Sequence, residues 1–254
     1  MATFTGIDTH ALDAIVEVVA NAPHTYDQRP LTVRHYLACR ESLPVVVQER
    51  IARDPSVSVR RVLASNPSLL PEVQVMLATK KDLRTRENLA KNPALCGEAM
   101  ALLSQDAIVS IRVGVARHPH ISVAVQQQLV HDGDSSVRME LSENPALTDS
   151  VQMELYNKAS LKGEYSYLLS NPSLSIQIQD EVAELGVVID NCGYELASNP
   201  ALASLRLIHK LTESYDYAMT EAALKAIPEA IEEYRVTHDL DGVPDEWILK
   251  ALIG

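Results

Sequence analysis

Five arginines, Arg34, Arg60, Arg86, Arg112 and Arg138, follow one another at a constant spacing of 26 residues. Guanidinium groups repeated at the stacking distance of packed helices, roughly 10 Å, could grip successive phosphates. Each could instead pair with an acid one turn back: Asp54 with Arg60, Asp82 with Arg86, Asp106 with Arg112, and Asp132 or Asp134 with Arg138. The planar fork of arginine bridges several acceptors at once, and we expect the architectural role. A second cluster, His118, His120 and His131 with Asp132, has metal-ligand chemistry. His118 and His120 precede a predicted helix that His131 ends, however, and a ten-residue helix is about 15 Å long, too far for shared ligation. Cys39, Cys96 and Cys192 occupy different positions of the repeat described below, and no zinc spacing is present. There is no Gly-rich phosphate loop, nucleophile elbow or HExxH. Asp180-Glu181 and Glu232-Glu233 read as solvated helix faces. No catalytic residue, metal or cofactor is expected.

What would position these residues is a repeat. Asn-Pro or His-Pro recurs at Asn66, Asn92, His118, Asn144, Asn171 and Asn199, first at steps of 26, then 27 and 28. Each pair sits in one phrase: LASNPSL, LAKNPAL, VARHPHI, LSENPAL, LLSNPSL, LASNPAL. Self-similarity at such a period marks a stacked array. Two helices fit each unit. The first ends at Asn-Pro, because the residue before proline is pushed out of the helical region and Asn tolerates the left-handed conformation past a helix end. The second carries an i, i+4, i+8 apolar stripe such as Leu69, Val73, Leu77 or Leu147, Val151, Leu155. Ser122, Thr148, Ser175 or first-turn Pro71 opens the second helix, and Ser56, Asp82 and Ser135 are candidate caps of the first. Each helix is expected to be about three turns long, marginal alone, so stacking must supply the stability. Asn66, Asn92, Asn144, Asn171 and Asn199 are expected to satisfy backbone groups left open at helix ends. Gln48, Gln74, Gln126, Gln152 and Gln179 are expected to form a hydrogen-bond ladder. A strand-containing leucine-rich horseshoe shares the period but needs leucines alternating at a spacing of two before the Asn, and these segments lack that alternation.

The stretch DPSVSVRRVLASNPSLLP, from Asp54 to Pro71, resembles the leucine-rich repeat variant family, related to HEAT and armadillo arrays. The match covers about residues 30–212, is strongest over 50–150, and fades after Gly163. The resemblance implies an all-α, right-handed α-solenoid of short helices. We expect about seven two-helix repeats of period about 26 in a single domain. Residues 1–36 form an N-terminal helical cap and first partial repeat, 37–212 the repeats, and 213–254 a C-terminal helical cap. The family's founding example carries an iron–sulfur cluster in a separate cysteine-rich segment, which this sequence lacks.

Charge bears on partners. Of the net charge of -12, residues 1–36 carry -2, residues 37–140 carry +2 and residues 141–254 carry -12. Seven of nine tyrosines lie between Tyr156 and Tyr234. An acidic surface repels phosphate and favours basic partners. The variable sites after each Gln become acidic toward the C-terminus, and Tyr156, Tyr165 and Tyr167 are expected to join them as contact area. The expected function is therefore a non-enzymatic protein-binding scaffold. It would take a basic partner through Glu154, Tyr156, Tyr165, Tyr167, Asp180 and Glu181. The alternative is a nucleic-acid role, either a HEAT-like DNA glycosylase-type enzyme or an acidic decoy imitating DNA; direct nucleic-acid binding is not expected. With no long apolar run, no secretory signal and few cysteines, the expected location is cytoplasmic, off the membrane.

Overall fold

The computed structural model of the chain describes residues 9–159, 162–185, 196–204, 207–208, 211, 227–238, 240–245 and 248. Among them are fourteen α-helices, one 3₁₀ turn and no strand. The chain divides into two compact units, Met1–Val125 and Gln126–Gly254. The expectations for Cys192 and for much of the C-terminal cap lie outside the described residues.

Unit 1 begins with α1 (Thr9–Asn21) and a 3₁₀ turn (Pro23–Gln28). First and second helices then alternate: α2 (Leu31–Cys39), α3 (Val45–Ala52), α4 (Val57–Ala64), α5 (Pro71–Ala78), α6 (Leu83–Ala90), α7 (Gly97–Leu103) and α8 (Val109–Ala116). Most are eight residues, nearer two turns than the expected three. First helices stack on first helices, α2 on α4 on α6 on α8, and second on second, α3 on α5 on α7. Val59, Leu63, Val73, Leu77, Leu89 and Ile111 are fully enclosed between the two rows. Such burial contributes roughly 1.5–3 kcal/mol per large aliphatic side chain, which helices this short cannot do without.

The boundary between the units falls within α9 (Val123–Leu129), and unit 2 continues with α10 (Ser135–Ser142), α11 (Asp149–Lys158), α12 (Lys162–Leu169) and α13 (Ile176–Leu185). Here α10 packs on α12 and α11 on α13, around Val137, Leu141, Val151, Leu155, Leu168 and Ile178. The helix α14 (Ile227–Thr237) lies nearer the C-terminus. Arg235 near its end donates to the carbonyls of Leu240 and Val243 and pairs with Asp245, holding a turn in which Gly242 takes φ +80. A positive φ is costly for a residue with a Cβ, so glycine suits that turn.

Helix ends depart from expectation in three ways. No Asn of the Asn-Pro series has a positive φ; the one non-glycine residue that does, among the described residues, is Ser42. The helices finish instead in right-handed geometry with i to i+3 bonds, such as the Asn66 N–H to the Leu63 carbonyl at 2.9 Å. The cap of α10 is Asp134 rather than Ser135, and its carboxylate accepts the Ser136 N–H. Asp82 caps α6 by accepting the Thr85 N–H, whereas Ser56 and Thr148 hold cap positions without a side-chain cap bond.

Two amide series tie each unit together. Asn92 Nδ2 reaches back to the carbonyls of Ala64 and Asn66, at 2.8 and 2.9 Å, while its Oδ1 accepts the Ala94 N–H. Asn66, Asn171 and Asn199 repeat this arrangement on their own predecessors. The Asn144 Oδ1 likewise accepts the Ala146 N–H. These carbonyls lie at the C-terminal end of the preceding first helix, where intrahelical partners run out. The glutamines reach forward. Gln74 Nε2 donates to the carbonyls of Leu69 and of Ala94 in the next repeat, and its Oε1 accepts the N–H of Cys96, the cap of α7. Gln48, Gln126, Gln152 and Gln179 each donate to a carbonyl in the next repeat and accept an N–H there. The loop after Asn92, for example, is thus held by Asn92 itself and by Gln74 of the preceding repeat.

Candidate functional site

The arginine series is spent inside the protein. Arg34 Nη1 meets both carboxylate oxygens of Asp54, at 2.6 and 2.7 Å. Arg60 donates to the Asp82 carboxylate at 2.7 Å and to the Asp54 carbonyl at 2.5 Å. Arg86 donates to the Asp106 carboxylate at 2.5 Å and to the Lys80 carbonyl at 2.7 Å. Arg112 and Arg138 hold the carbonyls of Asp106 and Asp132. The expected pairing with the acid one turn back is therefore corrected for Arg60 and Arg86. In Arg60, Arg86, Arg112 and Arg138 the guanidinium takes the backbone carbonyl six residues back, and Arg34, Arg60 and Arg86 take a carboxylate 20–22 residues ahead. A helix backbone carries the earlier Asp side chain away, whereas stacking brings the next repeat's Asp alongside. That earlier carboxylate turns onto its own loop instead: Asp54, Asp106 and Asp132 accept the N–H two residues on.

At the start of unit 1 this rung is deepest. The Asp54 carboxylate is fully buried and also accepts the Tyr26 hydroxyl at 2.5 Å. Burial, then the neighbouring Asp54 carboxylate, pushes the Tyr26 phenol far above its ordinary range. Tyr26 and Asp54 thereby bind the 3₁₀ turn to the loop before α4; nothing in their 28-residue separation signals it.

The proposed contact residues of unit 2 do not form one exposed row. Glu154 faces His131, with Oε1 at 3.1 Å from Nε2, and Lys158 Nζ lies 2.6 Å from His131 Nδ1. Glu154 thus belongs to a cluster with His131 and Lys158. Asp180 accepts the Ser204 hydroxyl at 2.5 Å. Glu181 is exposed, and Tyr165 and Tyr167 are half-buried on α12. Tyr156 is a correction: it is 5% exposed, packed edge-on against Tyr165 with ring centres 5.6 Å apart, and its buried hydroxyl has no hydrogen-bond partner among the described residues. Burial, then Tyr165 and Glu181, raises its pKa above the ordinary value. A tyrosine at the last turn of a second helix falls on the apolar stripe, a position its composition disguised.

Sequence reasoning also missed the role of His118. It sits in the Asn column and performs the Asn function. The His120 N–H donates to Nδ1 at 3.1 Å, so Nε2 carries the proton and donates to the Asn92 carbonyl at 3.0 Å. Its place 26 residues after Asn92 was the available signal. One repeat also lacks the glutamine: Met100 stands 26 residues after Gln74 and is buried. Among the described residues no three His, Cys, Asp or Glu side chains are grouped to hold a metal, and no helix is long and apolar enough to cross a membrane. No family model matches the chain, and no curated protein shows significant similarity to it.

Proposed function

We propose that the chain is a non-enzymatic protein-binding scaffold, a right-handed α-solenoid of about seven leucine-rich-repeat-variant-like repeats acting in the cytoplasm. Its partner is a basic protein surface that docks on the acidic, tyrosine-rich second unit. The observation that carries this reading is the division of labour among side chains. Positions shared by the repeats are committed to neighbouring backbone and carboxylates, as Asn92, Gln74 and Arg86 are. Charge as a whole is sorted by unit: Gln126–Gly254 holds 22 acids and 8 bases, net -14. A field of one sign attracts an oppositely charged partner over a Debye length of about 10 Å at 0.1 M salt and mainly raises the association rate. Glu181 and half-buried Tyr165 and Tyr167 supply charge and rigid contact area.

The test is a charge reversal, Glu154→Lys with Glu181→Lys, in protein whose circular dichroism and melting are unchanged. Asp180 is spared because Ser204 depends on it. Partners captured from host lysate by the wild type should be lost by the variant and released at 1 M salt. A partner set that survives both puts the binding surface elsewhere. Release of partners by duplex DNA competitor would favour the decoy reading instead, since a decoy and DNA compete for one site.

A further inference from the structure

The first helices of unit 1 carry a feature of the opposite polarity. Across α2, α4 and α6 runs an open groove of about 460 Å³, within the size range of ligand sites. His35 and Cys39 of α2, Ser58, Arg61 and Val62 of α4, and Asn88 of α6 contribute to it, with Pro67 from the loop after α4. None of its nine lining residues is acidic. His35 Nε2 and Ser58 Oγ lie 2.8 Å apart, forming a polar wall. The adjacent arginines Arg60 and Arg61 differ completely. Arg60 is committed to Asp82 and to the Asp54 carbonyl. Arg61 is exposed, and its guanidinium meets no carboxylate among the described residues. Lys91, just past the end of α6, is exposed, and the α6 acid Glu87 is taken by Arg84 at 2.8 Å and by the Ser110 hydroxyl.

We infer that this groove binds an acidic peptide segment of a partner protein, with Arg61 as the carboxylate anchor. A guanidinium without a carboxylate, set in a groove without acids, is complementary to an anion. The volume and the apolar parts of Val62, Pro67 and Cys39 suit a chain with aliphatic side chains rather than a lone anion. Nucleic acid is disfavoured on the same lining: no Phe, Tyr or Trp is there for bases to stack on, and one guanidinium is a sparse answer to a phosphate backbone. This site is independent of the acidic surface of unit 2.

The experiment is fluorescence anisotropy with a short labelled peptide of alternating Glu and Val, its Lys-for-Glu counterpart, and a labelled oligothymidylate. The Glu peptide should bind and the Lys peptide should not. Arg61→Glu should weaken binding by ~10-fold or more, about 1.4 kcal/mol. Lys81→Glu, an equal charge change on an exposed residue outside the groove, should weaken it less than ~2-fold. Arg61→Gln, with thermal melting of all variants, covers the case in which Arg61→Glu fails to fold. Equal losses for Arg61→Glu and Lys81→Glu would overturn the site, as would absence of Glu-peptide binding. Tighter oligothymidylate binding that Arg61→Glu removes would reassign the groove to nucleic acid. A salt-sensitive dimer in sedimentation, lost in Arg61→Glu, would reassign it to a second copy of this chain.

Discussion

Unit 1 and unit 2 share their internal wiring and differ in nearly everything exposed. Asn92 in unit 1 and Asn171 in unit 2 make the same three bonds, and Gln74 and Gln152 do likewise. Yet Met1–Val125 carries 12 acids and 14 bases, net +2, against -14 for Gln126–Gly254. The ion-pair rung also changes. With the repeat step lengthened to 27, Ala159 stands where Asp132 would recur and Tyr165 where Arg138 would recur. Tyr165 packs edge-on against Tyr156 there. A partly buried ion pair and a well-packed aromatic contact are close substitutes in stability, because the pair must first repay its desolvation. The amide rungs vary less: His118 keeps a bond to the Asn92 carbonyl and accepts the His120 N–H where an Asn is absent, and one repeat replaces its glutamine with buried Met100. The difference teaches which positions the architecture requires and which are free to be redirected.

The largest expected effect tests the shared part. Asn92→Ala and Asn171→Ala each strand one buried carbonyl and an N–H and take a second bond from the carbonyl of Asn66 or Asn144, which keeps the N–H of Leu69 or Leu147, at about 1–3 kcal/mol per buried group left unsatisfied. Allowing for water and relaxation, we expect ~2–5 kcal/mol for each, matching Leu89→Ala, which empties a core position at a similar cost. Denaturant melts should give equal losses in the two units. A loss of under ~1 kcal/mol at Asn171 beside a full loss at Asn92 would break the equivalence of the units.

The helical repeat, its period and the column holding each amide were legible because Asn-Pro and the apolar spacing are local signals. The identity of the arginine partners was not. Asp54 is six residues from Arg60 and Asp82 is 22 residues away, and only stacked helices decide that the distant carboxylate is the nearer one. The functional candidates were less legible still. Tyr156 carried the composition of a binding residue but sits on the buried stripe, and Glu154 is shared with His131. Arg61 was hidden beside Arg60: only the register separates a guanidinium turned into the stack from one turned to solvent.

A smaller effect sharpens the arginine comparison. The side chains of Arg86 and Asp106 are 14% and 9% exposed, and their contact is supplemented by the Lys80 carbonyl. Exposed pairs contribute ~0–1 kcal/mol, whereas breaking a buried pair costs ~3–5 kcal/mol. Arg86→Ala should fall between, at ~1–3 kcal/mol, while Arg84→Ala, removing the far more exposed partner of Glu87, should stay near ~0.5 kcal/mol or less. Equal losses at the two sites would mean that the rung acts as an ordinary surface pair.

The smallest effect distinguishes His118 from the asparagines around it. Burial, with His120 adding to it, holds the His118 pKa below its ordinary value despite the Asn92 carbonyl. Protonation would also put a hydrogen on Nδ1, where the His120 N–H must donate. A histidine whose folded pKa is depressed supports the native state fully above its unfolded pKa of ~6.5. That support is lost as pH falls through the folded value, because the unfolded chain then binds the proton more readily. His118→Asn keeps the acceptor for residue 120, offers two N–H groups to the preceding carbonyls and removes the titration. The expected gain is ~0.5–1.5 kcal/mol near neutral pH, the net worth of one additional hydrogen bond, and it should widen as pH falls from 7 toward 5. Melting curves of the two proteins across that range check it. A gap that stays constant with pH would show that His118 does not titrate differently in the folded state, and a gap that narrows would reverse its sign. Asn92→His, which moves the same ring one repeat back, should import the acid sensitivity to that rung.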